Sequence, residues 1–377
     1  MDTEYTQNPF VVGRDVSGEY FCDRESETEF LLKQINNGRN VAFISPRRLG
    51  KTELINHVLA LPEIQERYTT FFIDIYATTS FEEFLYLMGK TIFNSLKLKA
   101  RQYLEAFFEI VKSLRAGFRI DKSSGEPVFE IGMSAISSPQ TTLDEIFEYL
   151  NNSERPCIVA LDEFQQIGNY SQSNVEALLR TKIQHSRASF IFAGSKSHLM
   201  ANMFNSPGKP FYQSVITMGL EPIPMDVYTA FAQKMFELRN RSINAEVVAE
   251  VYNRFDGVTW FIQMLMNELF ALTPDGGKCG VDKIDEAYRN VIKSQEMGYK
   301  ELLSKMPPKQ KALLQAIAKE RTASSITSGS FIRKYSLPSA SSVQSAAKAL
   351  IENDIITKDG SNYRIYDYFF SEWLAEY

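Results

Sequence analysis

Apolar residues recur along this chain at two different periods, and the switches between them outline its elements. Phe30, Leu31 and Ile35 share one face of a helix running from Phe21 to about Asn37, closed by the turn pair Asn37-Gly38. Val41–Ile44 is a short apolar strand, followed by a loop and a helix over about Lys51–Ala60. The dense run Thr69–Ala77 suits a strand buried on both faces of a parallel sheet. Helical spacing then runs from Ser80 to about Leu114 with room for one break, opened by a capping pattern in Ser80-Phe81-Glu82-Glu83. Residues 118–133 alternate apolar and polar on both sides of Ser-Ser-Gly, which predicts a β-hairpin insertion. Beyond it lie a helix (about Thr142–Asn151, started by Thr142 with Glu145), a strand Cys157–Asp162, a helix Asn174–Ser186, and strands Ser189–Gly194 and Ser214–Leu220. Strands alternating with helices predict an α/β fold: a parallel sheet flanked on both faces by helices.

Punctuation by proline marks two boundaries. After Glu221-Pro222-Ile223-Pro224 the pattern becomes purely helical to about Ser304, a small domain suited to act as a lid. After Met306-Pro307-Pro308 come helices at Lys309–Lys319, Ser328–Tyr335 and Ala340–Asn353, then a hairpin around Asp359-Gly360. Three helices followed by a hairpin is the winged-helix order. The expected organisation is a lead-in over 1–20, a core over 21–220, a helical lid over 221–305 and a winged helix over 306–377.

Composition narrows the picture without redirecting it. Over 377 residues, 44% hydrophobic and 23% charged content is ordinary for a globular protein. A net charge of −5 argues against wholesale polyanion binding but leaves room for one basic domain. The three cysteines, Cys22, Cys157 and Cys279, have neither metal-type spacing nor an even count, which fits a reducing compartment. The polar start is no signal peptide, and the apolar run Trp260–Leu272 is too short to span a bilayer, so a cytoplasmic protein without a membrane partner is expected.

The candidate chemistry begins at Ser45-Pro46-Arg47-Arg48-Leu49-Gly50-Lys51-Thr52-Glu53. Between a strand and a helix, this is the phosphate-binding pattern G-x-x-x-x-G-K-[ST] with Ser45 at the first glycine. Backbone N–H groups of such a loop cradle phosphate oxygens, and the helix N-terminus adds positive potential. Lys51 is placed to neutralise β- and γ-phosphates, and the Thr52 hydroxyl to coordinate Mg²⁺. About 110 residues later an apolar strand runs into Asp162-Glu163. Asp162 can hold the Mg²⁺ shell, and Glu163 can take a proton from an attacking water. Ser195, after the next strand, is positioned to sense the γ-phosphate, although a polar turn after a strand would read the same.

Together with Phe21–Glu27, Leu161-Asp162-Glu163-Phe164-Gln165, Gly194-Ser195, Leu220-Glu221-Pro222 and the ending Phe369–Leu374, the loop makes the chain resemble the archaeal-type P-loop ATPases, in the STAND branch related to AAA+ proteins. The likeness extends over nearly the whole chain. It implies an ATP-binding core of strand order 5-1-4-3-2, a helical lid and a winged helix. It also implies Phe21 and Arg24 near the adenine, Gly50, Lys51 and Thr52 on phosphates and Mg²⁺, Asp162 on the metal and Glu163 on the catalytic water. Where many relatives carry an arginine near Pro210–Ser214 this chain has Gln213, leaving Arg180 and Arg187 as unassigned candidates.

Two functions follow as expectations. One is a Mg²⁺-dependent ATPase acting as a nucleotide-controlled switch on a protein partner, slow by itself for want of a charge-stabilising arginine. The other is a DNA-binding ATPase resembling origin-recognition proteins. Residues 306–377 hold nine Lys/Arg against seven Asp/Glu, and Ser341, Ser342, Gln344, Ser345 and Lys348 on the third helix suit phosphate and base-edge contacts. A nucleotide kinase fits less well, because no arginine-rich acceptor lid is evident.

Overall fold

The computed structural model describes residues 8–13, 16, 18–97, 101–120, 127–129, 136, 138–172 and 174–376. It divides into two units: Asp15–Ile223, and the chain from Pro224 onward together with residues 8–13.

In the first unit the strands, in chain order, are β1 (Val41–Phe43), β2 (Thr69–Asp74), β3 (Phe118–Ile120), β4 (Pro127–Phe129), β5 (Cys157–Asp162), β6 (Ser189–Phe192) and β7 (Ile216–Met218). Five of them form one parallel sheet of order β2-β5-β6-β1-β7. Counting only these five, that is 5-1-4-3-2 read from the β7 edge, the order the resemblance implied. The helices are α1 (Glu25–Asn36), α2 (Lys51–Ala60), α3 (Pro62–Arg67), α4 (Phe81–Lys97), α5 (Arg101–Ile110), α6 (Pro139–Asn152), α7 (Val175–Gln184) and α8 (Ser197–Asn205). Every residue of β1, β5 and β6 is buried, as expected of central strands in a sheet covered on both faces. Phe164, Phe192, Phe204 and Phe211 pack with ring centroids 4.5–5.8 Å apart beside these strands.

Several sequence expectations need correction. β2 lies at the sheet edge, so Thr70 and Phe72 are half-buried, and it stops at Asp74 rather than Ala77. α1 starts at Glu25, because Asp23 and Arg24 take positive φ (58° and 76°) and hold Phe21–Arg24 out of the helix. α6 starts at Pro139, whose fixed φ suits the first helical turn, and not at Thr142. The fifth strand is trimmed to Ile216–Met218, and α8 was not anticipated. β3 and β4 do pair as a hairpin, while its turn and residues 130–133 lie outside the described residues.

The second unit holds α9 (Met225–Glu237), α10 (Ala245–Arg254), α11 (Thr259–Ala271) and α12 (Ile284–Ser304). It is not purely helical: β8 (Ser242–Ile243) and β9 (Lys278–Cys279) pair in parallel. Next come α13 (Pro308–Glu320), β10 (Ala323–Ser324), α14 (Gly329–Lys334), α15 (Ala340–Glu352), β11 (Ile356–Asp359), β12 (Asn362–Ile365) and α16 (Tyr368–Glu376). The hydroxyls of Ser328 and Ser339 cap α14 and α15, and β10 adds a third strand to the β11–β12 hairpin, giving a winged helix. The winged helix shares a core with the helices before it. Phe369 of α16 lies 5.1 Å from Phe255, 5.8 Å from Phe261 and 5.1 Å from Tyr288.

Residues 8–13, expected within an irregular lead-in, form a strap fixed to this second unit. Phe10 is fully buried among Phe231, Phe236 and Phe270, at 6.3, 5.5 and 6.1 Å. Asn8 Nδ2 donates to the Asn267 carbonyl (2.8 Å), and Asn267 Nδ2 returns a bond to the Phe10 carbonyl (2.6 Å).

Candidate nucleotide site

In the parallel sheet β6 lies between β1 and β5, so the loops leaving these three strands meet at one edge. Open α/β sheets place their ligand crevice outside such carboxyl ends. Ile44 continues β1, donating its N–H to Met218 (2.8 Å), and the loop then turns through two positive φ values, 65° at Arg48 and 88° at Gly50. Only glycine takes such a value at no steric cost, and turns of this kind let successive N–H groups converge on an anion. α2 begins immediately afterwards.

Lys51 is buried, and its Nζ donates back across the loop to the carbonyls of Ser45 (3.1 Å) and Pro46 (2.6 Å). Burial pushes the Lys51 pKa down to about 8, against the opposing pull of Asp162 and Glu163. The Ser45 hydroxyl, where the pattern would have its first glycine, is buried with no hydrogen-bond partner. A buried, unpaired donor at the foot of a loop rich in N–H groups, beside a lysine, is suited to a phosphate oxygen.

Thr52 Oγ1 donates to Asp162 Oδ2 at 2.7 Å, joining two segments 110 residues apart. Burial raises the Asp162 pKa, while the Thr52 hydroxyl and the Glu163 N–H (2.9 Å to Oδ1) work to lower it. A hydroxyl and a carboxylate side by side form an all-oxygen donor pair. It is the kind of partial shell Mg²⁺ accepts when phosphate and water complete its octahedron. Glu163 sits at φ 57°, a left-handed conformation that costs a non-glycine residue ~1–3 kcal/mol and recurs at functional sites. Its Oε2 accepts from Ser195 Oγ (2.7 Å) and from Gln165 Nε2.

Other candidates are placed differently. Arg24 is buried and braces the loop from beneath, Nη1 on Glu27 (2.5 Å) and Nη2 on the Leu49 carbonyl (3.0 Å). Phe21 stacks on His57 of α2, centroids 4.2 Å apart and 6° from parallel. Arg47, Arg48 and Glu53 are half-buried, Leu49 is buried and Pro46 exposed. Arg187 precedes β6, at the end of the sheet opposite Asp162, and bonds the Asn151 carbonyl (3.1 Å); Arg180 bonds Gln184 (2.5 Å). Arg187 is thus held away from the loop, while the Nε of Arg180 is buried without a partner. Gln165 reads in the sequence only as part of the motif Leu161–Gln165, without a role of its own, because nothing in its spacing reveals a hydrogen bond back to Glu163.

On the winged helix, Ser341, Gln344, Ser345 and Lys348 share the exposed face of α15, with Ser342 half-buried. Lys348 is 3.8 Å from Glu352. Of the two wing cations, Arg364 is held by Asp256 at 2.8 Å, and Tyr368 donates to the same carboxylate oxygen (2.7 Å).

Residues 21–265 match the family model described as an ATPase domain predominantly from Archaea, and residues 297–376 match that of a probable winged helix domain. An uncharacterised ATP-binding protein of Methanocaldococcus jannaschii is 26% identical over 170 residues, which are 40% of this chain and 44% of that protein. The chain thus spans less than half the length of that relative. The Walker-type ATPase of Pyrococcus abyssi shares the fold with a TM-score of 0.64 at 19% identity, over 97% of this chain and 99% of that one. The Aeropyrum pernix ORC2 protein, solved with ADPNP and ADP, follows at 0.60 and 13% identity, over 98% and 96%. The Aeropyrum pernix ORC1 protein, solved in complex with DNA, has a TM-score of 0.56 at 13% identity, over 98% and 96%. Among the described residues no helix is long and apolar enough to cross a membrane.

Proposed function

The chain belongs to the family of ATPase domains found predominantly in Archaea, and from that premise we propose that it binds ATP with Mg²⁺ and hydrolyses it. Hydrolysis to ADP and phosphate would act as a switch read by the lid and winged helix or by a protein partner. The observation that carries this reading is the 2.7 Å bond between Thr52 and Asp162, which sets a metal-type oxygen pair beside Lys51 and Glu163. In this reading the loop Ser45–Glu53 holds the phosphates and Lys51 neutralises them. Thr52 and Asp162 hold Mg²⁺, which supplies positive charge for the γ-phosphoryl oxygens. Glu163 accepts a proton from the attacking water as the new P–O bond forms and the bond to ADP breaks. Arg24, committed to Glu27 and Leu49, serves here by fixing the loop, and Phe21 by flanking α2.

Intrinsic turnover is slow in this account, because Arg187 is held at the opposite end of the sheet and Arg180 bonds Gln184; a charge-stabilising arginine is worth ~10³–10⁵ in rate. Nucleotide binding and phosphate release test the reading directly. Lys51→Ala should lose ATP binding, and Glu163→Gln should bind ATP without hydrolysing it. Equal ATP affinity in wild type and Lys51→Ala would sink it.

A second reading, duplex DNA binding by the winged helix with ATP as an assembly cofactor, is favoured by the exposed polar face Ser341, Gln344, Ser345 and Lys348. The capture of Arg364 by Asp256 weighs against a contribution from the wing. Salt-dependent retention of the full chain on duplex DNA supports it, and no binding even at low salt refutes it.

A further inference from the structure

Gln165 lies two residues beyond Glu163 and is 3% exposed. Its Nε2 donates to Glu163 Oε2 and, at 3.4 Å, to Ser195 Oγ, which itself donates to the same Oε2 at 2.7 Å. Its Oε1 is buried with no hydrogen-bond partner. Leaving a carboxamide oxygen unpaired costs free energy, so its burial is tolerated for what the other end of the amide does. Gly194 supplies an independent observation. A Cβ there would lie 2.2 Å from Gln165 Oε1 and 2.7 Å from Met200 Sδ, so the chain keeps this space open for the glutamine.

Proton counting then separates the two donors. A hydroxyl has one proton, so Ser195 can donate to Glu163 or to a phosphate oxygen but not to both. An amide has two, so Gln165 can stay on Glu163 while also steadying Ser195. Both donors fall on Oε2, which leaves Oε1 of Glu163 for water. We infer that Gln165 is the positioning residue for Glu163: it fixes the carboxylate with Oε1 presented to the attacking water, and keeps it fixed when Ser195 turns to phosphate. The inference rests on the hydrolytic reading above.

The test uses the full chain and two variants. Gln165→Met keeps the volume and removes both donors; Gly194→Ala keeps the amide but displaces it, and carries the test should the first variant fold poorly. Three quantities are read: kcat, ATP affinity, and the preference for ADP with aluminium fluoride over ADP alone. A misplaced base costs about 10²-fold in rate. Both variants should therefore lose about 100-fold in kcat and most of the aluminium fluoride preference, with ATP affinity within about twofold of wild type. If wild type has turnover and preference and both survive in Gln165→Met, or if ATP affinity falls in step with kcat, the positioning role is overturned. A wild type with neither turnover nor preference overturns the hydrolytic reading itself, and this inference with it.

Discussion

Raising the pH should set the affinity of this protein for ATP and its own stability moving in opposite directions, through Lys51. In the folded chain burial holds its pKa at about 8, whereas an unfolded lysine titrates near 10.4. Between those values the unfolded chain binds more protons, so this side chain makes the core more stable as pH rises. ATP reverses the preference, because phosphates beside Nζ favour the ammonium. Above pH 8 the lysine must therefore take up a proton as the nucleotide binds. If it is fully protonated in the complex, uptake grows from about 0.1 proton at pH 7.0 to about 0.75 at pH 8.5. Over the same interval affinity falls about fourfold, reaching about tenfold, or ~1.4 kcal/mol, by pH 9. The terminal phosphate is already ionised there and does not contribute. Calorimetric titration of Mg-ATP in two buffers of different ionisation enthalpy, at each pH, counts the protons directly. Lys51→Arg serves as control, since a guanidinium stays charged throughout and should bind without uptake. Equal uptake at pH 7.0 and 8.5, or the same uptake in the arginine variant, refutes the reasoning.

Three further outcomes follow from the geometry. In Asp162→Asn, Mg²⁺ should no longer strengthen ATP binding and hydrolysis should fall at least ~10²-fold; a Mg²⁺ response equal to that of wild type would count against the Thr52–Asp162 pair as the metal site. Phe10→Ala empties a fully buried aromatic site and should destabilise the second unit by ~3–5 kcal/mol in denaturant unfolding, with ATP affinity unchanged; a loss under ~1 kcal/mol would mean the strap is ornamental. Asp256→Asn releases Arg364, so under the DNA reading the slope of log affinity against log salt should steepen by about one phosphate contact; an unchanged slope argues that the wing does not touch the duplex.

The parts legible in the sequence were those whose chemistry is local. A glycine at φ 88°, a lysine opening a helix and two acids ending a buried strand are all encoded within a few residues, so the loop and the strand beside it could be read directly. The order of the sheet came from resemblance, since parallel pairing leaves no local mark. What escaped depends on contacts that spacing does not show. Arg24, expected near the adenine by resemblance, is bonded to the Leu49 carbonyl, and Arg364 reads as a wing cation until Asp256 is seen to hold it. Gln165 is legible as a motif residue, but its bond to Oε2 of Glu163, across a left-handed turn, is not. The short strands β8 and β9, two residues each, carry no period at all.

The strap has a consequence for biosynthesis. Asn8 and Phe10 bond Asn267 across 259 and 257 residues, and the whole ATPase core is encoded between them. At ~5–20 residues per second the ribosome needs roughly 13–50 s to deliver the dock after the strap has emerged. The core has time to complete its sheet in that interval, because its own parallel pairings are closed once β7 is made. The helical unit does not, since Phe10, one of its most buried aromatics, is translated before the whole core, and Phe231, Phe236 and Phe270 that bury it come only after. Phe10, Val11 and Val12 are thus an apolar segment that waits for its dock, and the step that ends the wait closes a loop that spans the whole core.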